Sequence, residues 1–90
     1  MGKRNKLEII RDILELIREN HNSIKTTPLL RKSNLSSQGF SEYMKELLEK
    51  DLIRENQDKK GKKFISLTEK GVRYLEKYRN IVGFIEEFEL

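Results

Sequence analysis

Residues 57–71 read QDKKGKKFISLTEKG, with four lysines, Lys59, Lys60, Lys62 and Lys63, gathered around one glycine. Asp58-Lys59-Lys60-Gly61 suits a type I turn, which favours Asp at its first position and Gly at its fourth. Upstream, Leu52-Ile53-Arg54-Glu55-Asn56 reads as a strand, and downstream Phe64, Ile65 and Leu67 supply its return. The stretch is a β-hairpin with a basic tip. A charged tip is ordinarily a solvated loop, so its meaning depends on what the rest of the chain sets beside it.

Just before the hairpin, Phe40, Tyr43, Met44, Leu47 and Leu48 share one face of a helix, with Ser36 or Ser37 as its N-cap. Gly39, in the first turn, leaves room for another backbone to approach. Asp51 ends the helix, in a left-handed conformation that Asp tolerates better than most residues. Leu35 points inward. Further upstream, Thr26 or Thr27 caps a brief helix carrying Leu29 and Leu30, with Pro28 at its first position. Ile24 precedes it as a short strand or bridge. The first helix covers residues 6–20, where Leu7, Ile10, Ile13, Leu14 and Ile17 recur at helical spacing and Ile9 and Leu16 widen the stripe. Beyond the hairpin, Thr68 caps a helix expected over residues 69–90, about 33 Å long. Val72 belongs to the core.

Ninety residues make one domain with a thin core. Hydrophobic residues are 36% and charged residues 38% of the chain, yet the apolar positions are periodic, which argues for a folded domain. The absence of cysteine excludes disulfides and thiolate metal sites and suits a reducing, cytosolic setting. The basic start, MGKRNK, leads into an amphipathic repeat interrupted by charges, neither a signal peptide nor a membrane span. Net charge is +4, but the last seven residues, FIEEFEL, hold three glutamates and no base, so the rest carries +7. A basic body suggests an anionic partner, most often nucleic acid. High Lys and Glu content also accompanies growth at high temperature, which would account for part of the charge.

Two short helices joined by a tight turn and followed by a basic hairpin make a winged helix-turn-helix. "NLSSQGFSEYMKELLEKDLI" resembles the turn, recognition helix and first wing strand of such domains, "FISLTEKG" the second wing strand and start of the last helix. "KLEIIRDILE" resembles the first helix of the small archaeal winged-helix DNA-binding proteins, which include the chromatin-associated "10a" class and related predicted transcriptional regulators. The resemblance implies an α+β, mostly α, fold. Residues 1–68 would form the DNA-binding domain, and residues 69–90 a dimerisation helix packed partly on it. It also implies homodimers joined by antiparallel C-terminal helices in a coiled coil. The sequence departs from the pattern at Asp51, where glycine is usual, and at Gly83 inside the last helix.

In such domains the third helix enters the major groove with its N-terminal residues towards the bases. The outward positions here are Ser37, Gln38, Ser41, Glu42 and Lys45, with Ser36 at the cap. Gln38 can pair with adenine in two-pronged fashion, and serines bond to bases or phosphates. Glu42 could accept from cytosine but repels the backbone. No arginine lies on this face, which points to moderate sequence selectivity. Lys59, Lys60, Lys62 and Lys63 suit phosphate, since ammonium is a point charge without base-reading geometry. Thr26 and Thr27 offer backbone amides at a helix start. Lys25, Arg31, Lys32 and the Lys3-Arg4-Lys6 arm are secondary candidates. The alternative for the helix positions is ordinary polar surface, and each secondary candidate taken alone reads as a solvating charge.

Tyr74, Tyr78, Ile81, Ile85 and Phe88 are spaced as a heptad seam, broadened by Leu75 and Val82. So small a domain cannot cover all of it, and an apolar helix end points to a partner. Residues 69–79 carry +2 and residues 80–90 carry −3. An antiparallel copy would set the acidic ends against the basic starts. The alternative is that the helix folds back over the stripe widened by Ile9 and Leu16.

Enzymatic chemistry finds no support. His21 is the lone histidine, in the polar Asn20-His21-Asn22-Ser23 turn; there is no nucleophile–base pair, phosphate loop, metal site or implied cofactor. The expected partners are double-stranded DNA and a second copy of the chain, in a cytoplasmic, nucleoid-associated setting. The rival reading is a winged-helix protein–protein module.

Overall fold

The computed structural model describes residues 4–90. Helix α1 (Lys6–Glu19) starts in a reciprocal cap: the Asn5 side chain accepts from the Glu8 amide at 2.8 Å, and the Glu8 carboxylate accepts from the Asn5 amide at 3.1 Å. Its buried stripe is Ile10, Ile13, Leu14 and Ile17. The chain leaves α1 through His21 and Asn22, both left-handed, and the Asn22 amide donates back to the Ile17 carbonyl at 3.0 Å. Ile24 then pairs with Ile65 as an isolated bridge, as expected.

Helix α2 (Thr26–Ser33) corrects one expectation. Its cap is Lys25, extended and without a side-chain hydrogen bond, so Thr26 and Thr27 lie inside the first turn and Pro28 is the third helical residue. The Ile24 bridge holds the chain extended only as far as Lys25, which sets the helix start. Pro28 is still tolerated, because the first three helical positions have no intrahelical acceptor for an N–H, and the first such bond runs from the Leu29 amide to Lys25 O at 3.2 Å. Left-handed Asn34 ends α2, and Ser36 caps α3 (Ser37–Glu49) through the Gly39 amide at 3.0 Å.

Helix α3 ends in a Schellman motif: the Leu52 amide donates to Leu47 O at 2.9 Å and the Asp51 amide to Leu48 O at 3.1 Å. Asp51 supplies the left-handed residue, at φ 59°. The chain then forms β1 (Ile53–Gln57) and β2 (Lys63–Leu67), antiparallel, pairing Ile53 with Leu67 and Gln57 with Lys63. Ile53, Ile65 and Leu67 face the core, while Arg54, Asn56 and Ser66 face away. The Asn22 side chain accepts from the Leu67 amide at 2.6 Å, tying the end of α1 to β2.

Helix α4 (Glu69–Glu87) is capped by Thr68, whose hydroxyl accepts from the Gly71 amide at 3.1 Å and donates to Asp51 O at 2.6 Å. The helix runs without interruption through Gly83 and stops short of the expected end, with Phe88 as its cap and Glu89 left-handed. Gly71 and Leu75 are its buried residues. The chain extends over 50 × 28 × 22 Å. The first half of α4 packs against α1, where the Tyr74 hydroxyl reaches Leu7 O, while residues 83–90 are all exposed, so the end of α4 does not fold back over α1.

Four further expectations are corrected. Val72, placed in the core, is 43% exposed, because it is rotated about 100° past Gly71 and away from the domain. Leu48 is exposed for the same reason relative to Leu47. Leu7, in the first turn of α1, lies outside the core and is exposed. The space at Gly39 faces only the Ser36 cap oxygen, 3.1 Å from where a Cβ would stand, and no other backbone comes near.

Candidate nucleic-acid interface

The burial of Phe40, Met44 and Leu47 fixes the roll of α3. Three and four residues apart, they stack on one side, so Ser37, Gln38, Ser41, Glu42 and Lys45 all stand exposed on the other. Tyr43 is half-buried at the margin. The Ser36 side-chain oxygen is engaged by the Gly39 amide, which leaves its O–H as the group able to bond outward.

The hairpin tip is built around Asp58. Gly61 N–H donates to Asp58 O at 3.0 Å, and Asp58 N–H donates to Lys62 O at 2.9 Å. One Asp58 carboxylate oxygen also accepts from the Lys60 and Lys62 amides at 2.8 and 2.9 Å. Gly61, at φ 81°, completes a three-residue loop of the type I plus left-handed kind. The only acid in the tip is thereby spent on backbone amides. Lys59, Lys60, Lys62 and Lys63 are all exposed, and none joins the ion pairs found among the described residues. Phe64 carries the Lys25 ammonium 5.9 Å from its ring centre, which places the start of α2 beside β2. Thr26 and Thr27 are exposed there.

Bases elsewhere are committed differently. The Arg4 guanidinium pairs with Asp12 at 2.8 Å and donates to Ser33 O at 2.9 Å, closing the N-terminal arm onto α1 and α2. Lys6 pairs with Glu46 at 2.7 Å, and Lys50 with the same carboxylate at 2.8 Å. These two ammonium groups, Lys50 first, hold the Glu46 carboxyl below the usual range, and Lys6 in turn is raised by Glu46. Lys32 leans towards Asn20 at 3.5 Å, and Lys3 lies outside the described residues. Arg54, not singled out from sequence, is exposed on the outer face of β1 opposite Ser66. Strand alternation from buried Ile53 was the signal that could have found it.

Along α4 the seam divides in two. Tyr74 and Tyr78 stack at 6.3 Å and are half-buried against their own chain. The Tyr74 hydroxyl donates to Leu7 O at 2.8 Å, and burial pushes its pKa up. Arg11 lies over the Tyr78 ring, 5.0 Å from its centre. Beyond them Ile81, Ile85 and Phe88 are exposed, at 55%, 41% and 56%. Phe84 packs against Phe88 at 4.9 Å and is exposed as well.

Among the described residues no group of three or more His, Cys, Asp or Glu could hold a metal, and no helix is long and apolar enough to cross a membrane. His21 sits in the left-handed turn after α1.

The winged helix-turn-helix family profile matches residues 3–86. Among solved structures, a winged-helix DNA-binding protein from STIV is 20% identical over 89% of this chain and 91% of its own, with a TM-score of 0.72. Sso10a-2, a DNA-binding protein from Sulfolobus solfataricus, is 19% identical over 96% of this chain and 86% of its own, at 0.74. The F-93 protein of SSV1 is 22% identical over 97% of each chain, at 0.67. At these identities the likeness is one of fold. No curated protein matches the sequence.

Proposed function

The chain belongs to the winged helix-turn-helix family, and on that premise we propose that it binds duplex DNA as a homodimer, as a transcriptional regulator or chromatin-associated protein in a cytoplasmic, nucleoid-associated setting. Residues 1–68 act as the DNA-binding unit and residues 69–90 as the dimerisation helix. One observation carries the reading: the four wing lysines are free of ion pairs, while Asp58, the one acid among them, is turned onto the backbone. The likeness of the fold to two DNA-binding proteins, the one from STIV and Sso10a-2, supports it.

In this reading α3 enters the major groove, presenting Ser36, Ser37, Gln38, Ser41 and Lys45. Lys59, Lys60, Lys62 and Lys63 stand on the phosphate backbone, with Thr26 and Thr27 as further phosphate contacts. The α4 seam of Tyr74, Tyr78, Ile81, Ile85 and Phe88 joins two copies antiparallel, because α4 is basic early and acidic late. Lysine-rich contacts and a recognition face without arginine give moderate sequence selectivity.

The test is a mobility shift on random and selected duplexes at several salt concentrations. Neutralising about four to six phosphates predicts a slope of log affinity against log salt near −4 to −5. Reversing the charge of all four wing lysines should abolish the shift. Unchanged affinity would instead identify a protein–protein module, and stronger binding to A-form RNA would redirect the assignment to double-stranded RNA.

A further inference from the structure

Where α1 and α4 diverge, a groove of about 190 Å³ opens between Arg11 and Glu15 on one side and Leu75, Tyr78, Arg79 and Val82 on the other. Leu75, Val82 and the Tyr78 ring give it apolar lining, and Arg11 and Arg79 bring two guanidinium groups to it. Glu15 is held by Arg18 through two hydrogen bonds, at 2.9 and 2.7 Å, and that contact first, with Arg79 and Arg11 adding to it, depresses its pKa. An apolar cavity of about 150 Å³ holds a benzene ring, so the groove is of a size to take one phenyl side chain. The same chain ends in exposed phenylalanines among three glutamates and no base.

We infer that this groove receives Phe88 of a second copy, fixing the register of the antiparallel pair. The inference rests on the homodimer reading above and deepens it. Setting Phe88 of one copy level with Tyr78 of the other sets Ile81 level with Ile85, so the exposed seam residues are covered in successive layers. It also brings Glu87 level with Arg79 and Glu89 level with Lys77, opposite charges in both cases. Sliding one copy about two turns along the seam would bring Phe88 level with Gly71, which is buried beneath Leu52 and has no space to offer. The chosen register narrows the joining seam proposed above to Tyr78, Ile81, Ile85 and Phe88 and leaves Tyr74 outside the overlap, where its hydroxyl already has its partner in the Leu7 carbonyl of its own chain. Helix α1 thus becomes part of the interface through Arg11, held over the Tyr78 ring.

The chain has no cysteine and no tryptophan, so single introduced reporters are unambiguous. Tyr78→Cys, Tyr74→Cys and Phe88→Cys are prepared singly, mixed in pairs and mildly oxidised, with circular dichroism confirming the fold of each and ultracentrifugation its mass. Phe88→Trp is followed by fluorescence over a dilution series. The inference expects a 78–88 cross-link as the main mixed product, and a blue-shifted Phe88→Trp emission that moves red on dilution together with the mass. Phe88→Ala, at a position exposed in the single chain, should weaken dimerisation about tenfold or more. A dominant 74–88 link, or tryptophan emission that stays solvent-like in a confirmed dimer, overturns the groove and leaves the homodimer standing. A monomeric mass for the unsubstituted chain at micromolar concentration overturns both.

Discussion

Gly71 lies directly beneath the backbone carbonyl of Leu52, so that a Cβ at position 71 would collide with that oxygen. Through this approach the first turn of α4 closes against the end of α3 and the start of the wing. The Leu52 carbonyl is also the acceptor for the Thr68 amide at 3.2 Å, and Thr68 donates to the neighbouring Asp51 carbonyl, so neither backbone can retreat cheaply. Gly71→Ala should destabilise the domain by about 1–3 kcal/mol, the usual cost of overpacking. Gly83, with nothing within 4 Å of its missing Cβ, makes the control. Gly83→Ala should stabilise by about 0.5–1 kcal/mol through helix propensity alone. Thermal melts of the two variants should move in opposite directions, and a neutral Gly71→Ala would contradict the packing described.

The wing tip depends on Asp58 rather than on its lysines. Asp58→Ala removes the acceptor for the Lys60 and Lys62 amides and should loosen the hairpin by about 1 kcal/mol, while the helical core holds. Amide hydrogen exchange at Lys60 and Lys62 should accelerate severalfold with little change at Leu14 or Ile17. Asp58→Asn, which keeps an oxygen acceptor, should recover most of the protection.

Neutralising the wing lysines one at a time should weaken DNA binding evenly across sequences. Each ammonium taken off the phosphate backbone should make the salt slope shallower by about 0.9. Gln38→Ala, in contrast, should leave the slope unchanged and relax selectivity at one position, worth about 1–3 kcal/mol if the pairing is two-pronged. Binding titrations at three salt concentrations on two duplexes separate these effects.

Glu46 ties α1 to α3 through Lys6 and completes the last turn of α3 through Lys50. Its folded-state pKa lies below the unfolded value, so its contribution is present above about pH 4.5 and is lost as the pH falls through the folded pKa. The carboxylate is half-buried at the surface, where solvent still screens it, so the effect should amount to a few degrees in Tm at most. Melts between about pH 6 and pH 3 should show Glu46→Gln losing less stability on acidification than the parent. An identical pH dependence would mean that the triad contributes nothing.

Much of this molecule was legible residue by residue. Asp58 and Gly61 determine the hairpin loop through contacts four residues apart at most, and Ser36 and Thr68 cap helices through their own third neighbours. Asp51 and Asn34 end helices by a conformation that short polar side chains tolerate. Such features depend on the local chain, so sequence suffices to read them. The outward positions of α3 followed equally from the spacing of Phe40, Met44 and Leu47.

What required the tertiary structure was everything set by how one element rests on another. The spacing of Val72, Leu48 and Leu7 fitted burial, but the roll of α4 and α3 and the reach of α1 left all three exposed. Thr26 and Thr27 looked like caps until the Ile24–Ile65 bridge showed where the extended chain ends. Arg4 and Lys6 read as a free basic arm, and their acidic partners stand 8 and 40 residues away. Local preference is a matter of a few bonds and their torsions. The close approach of Gly71 to Leu52, and the groove between α1 and α4, exist only once the helices have packed.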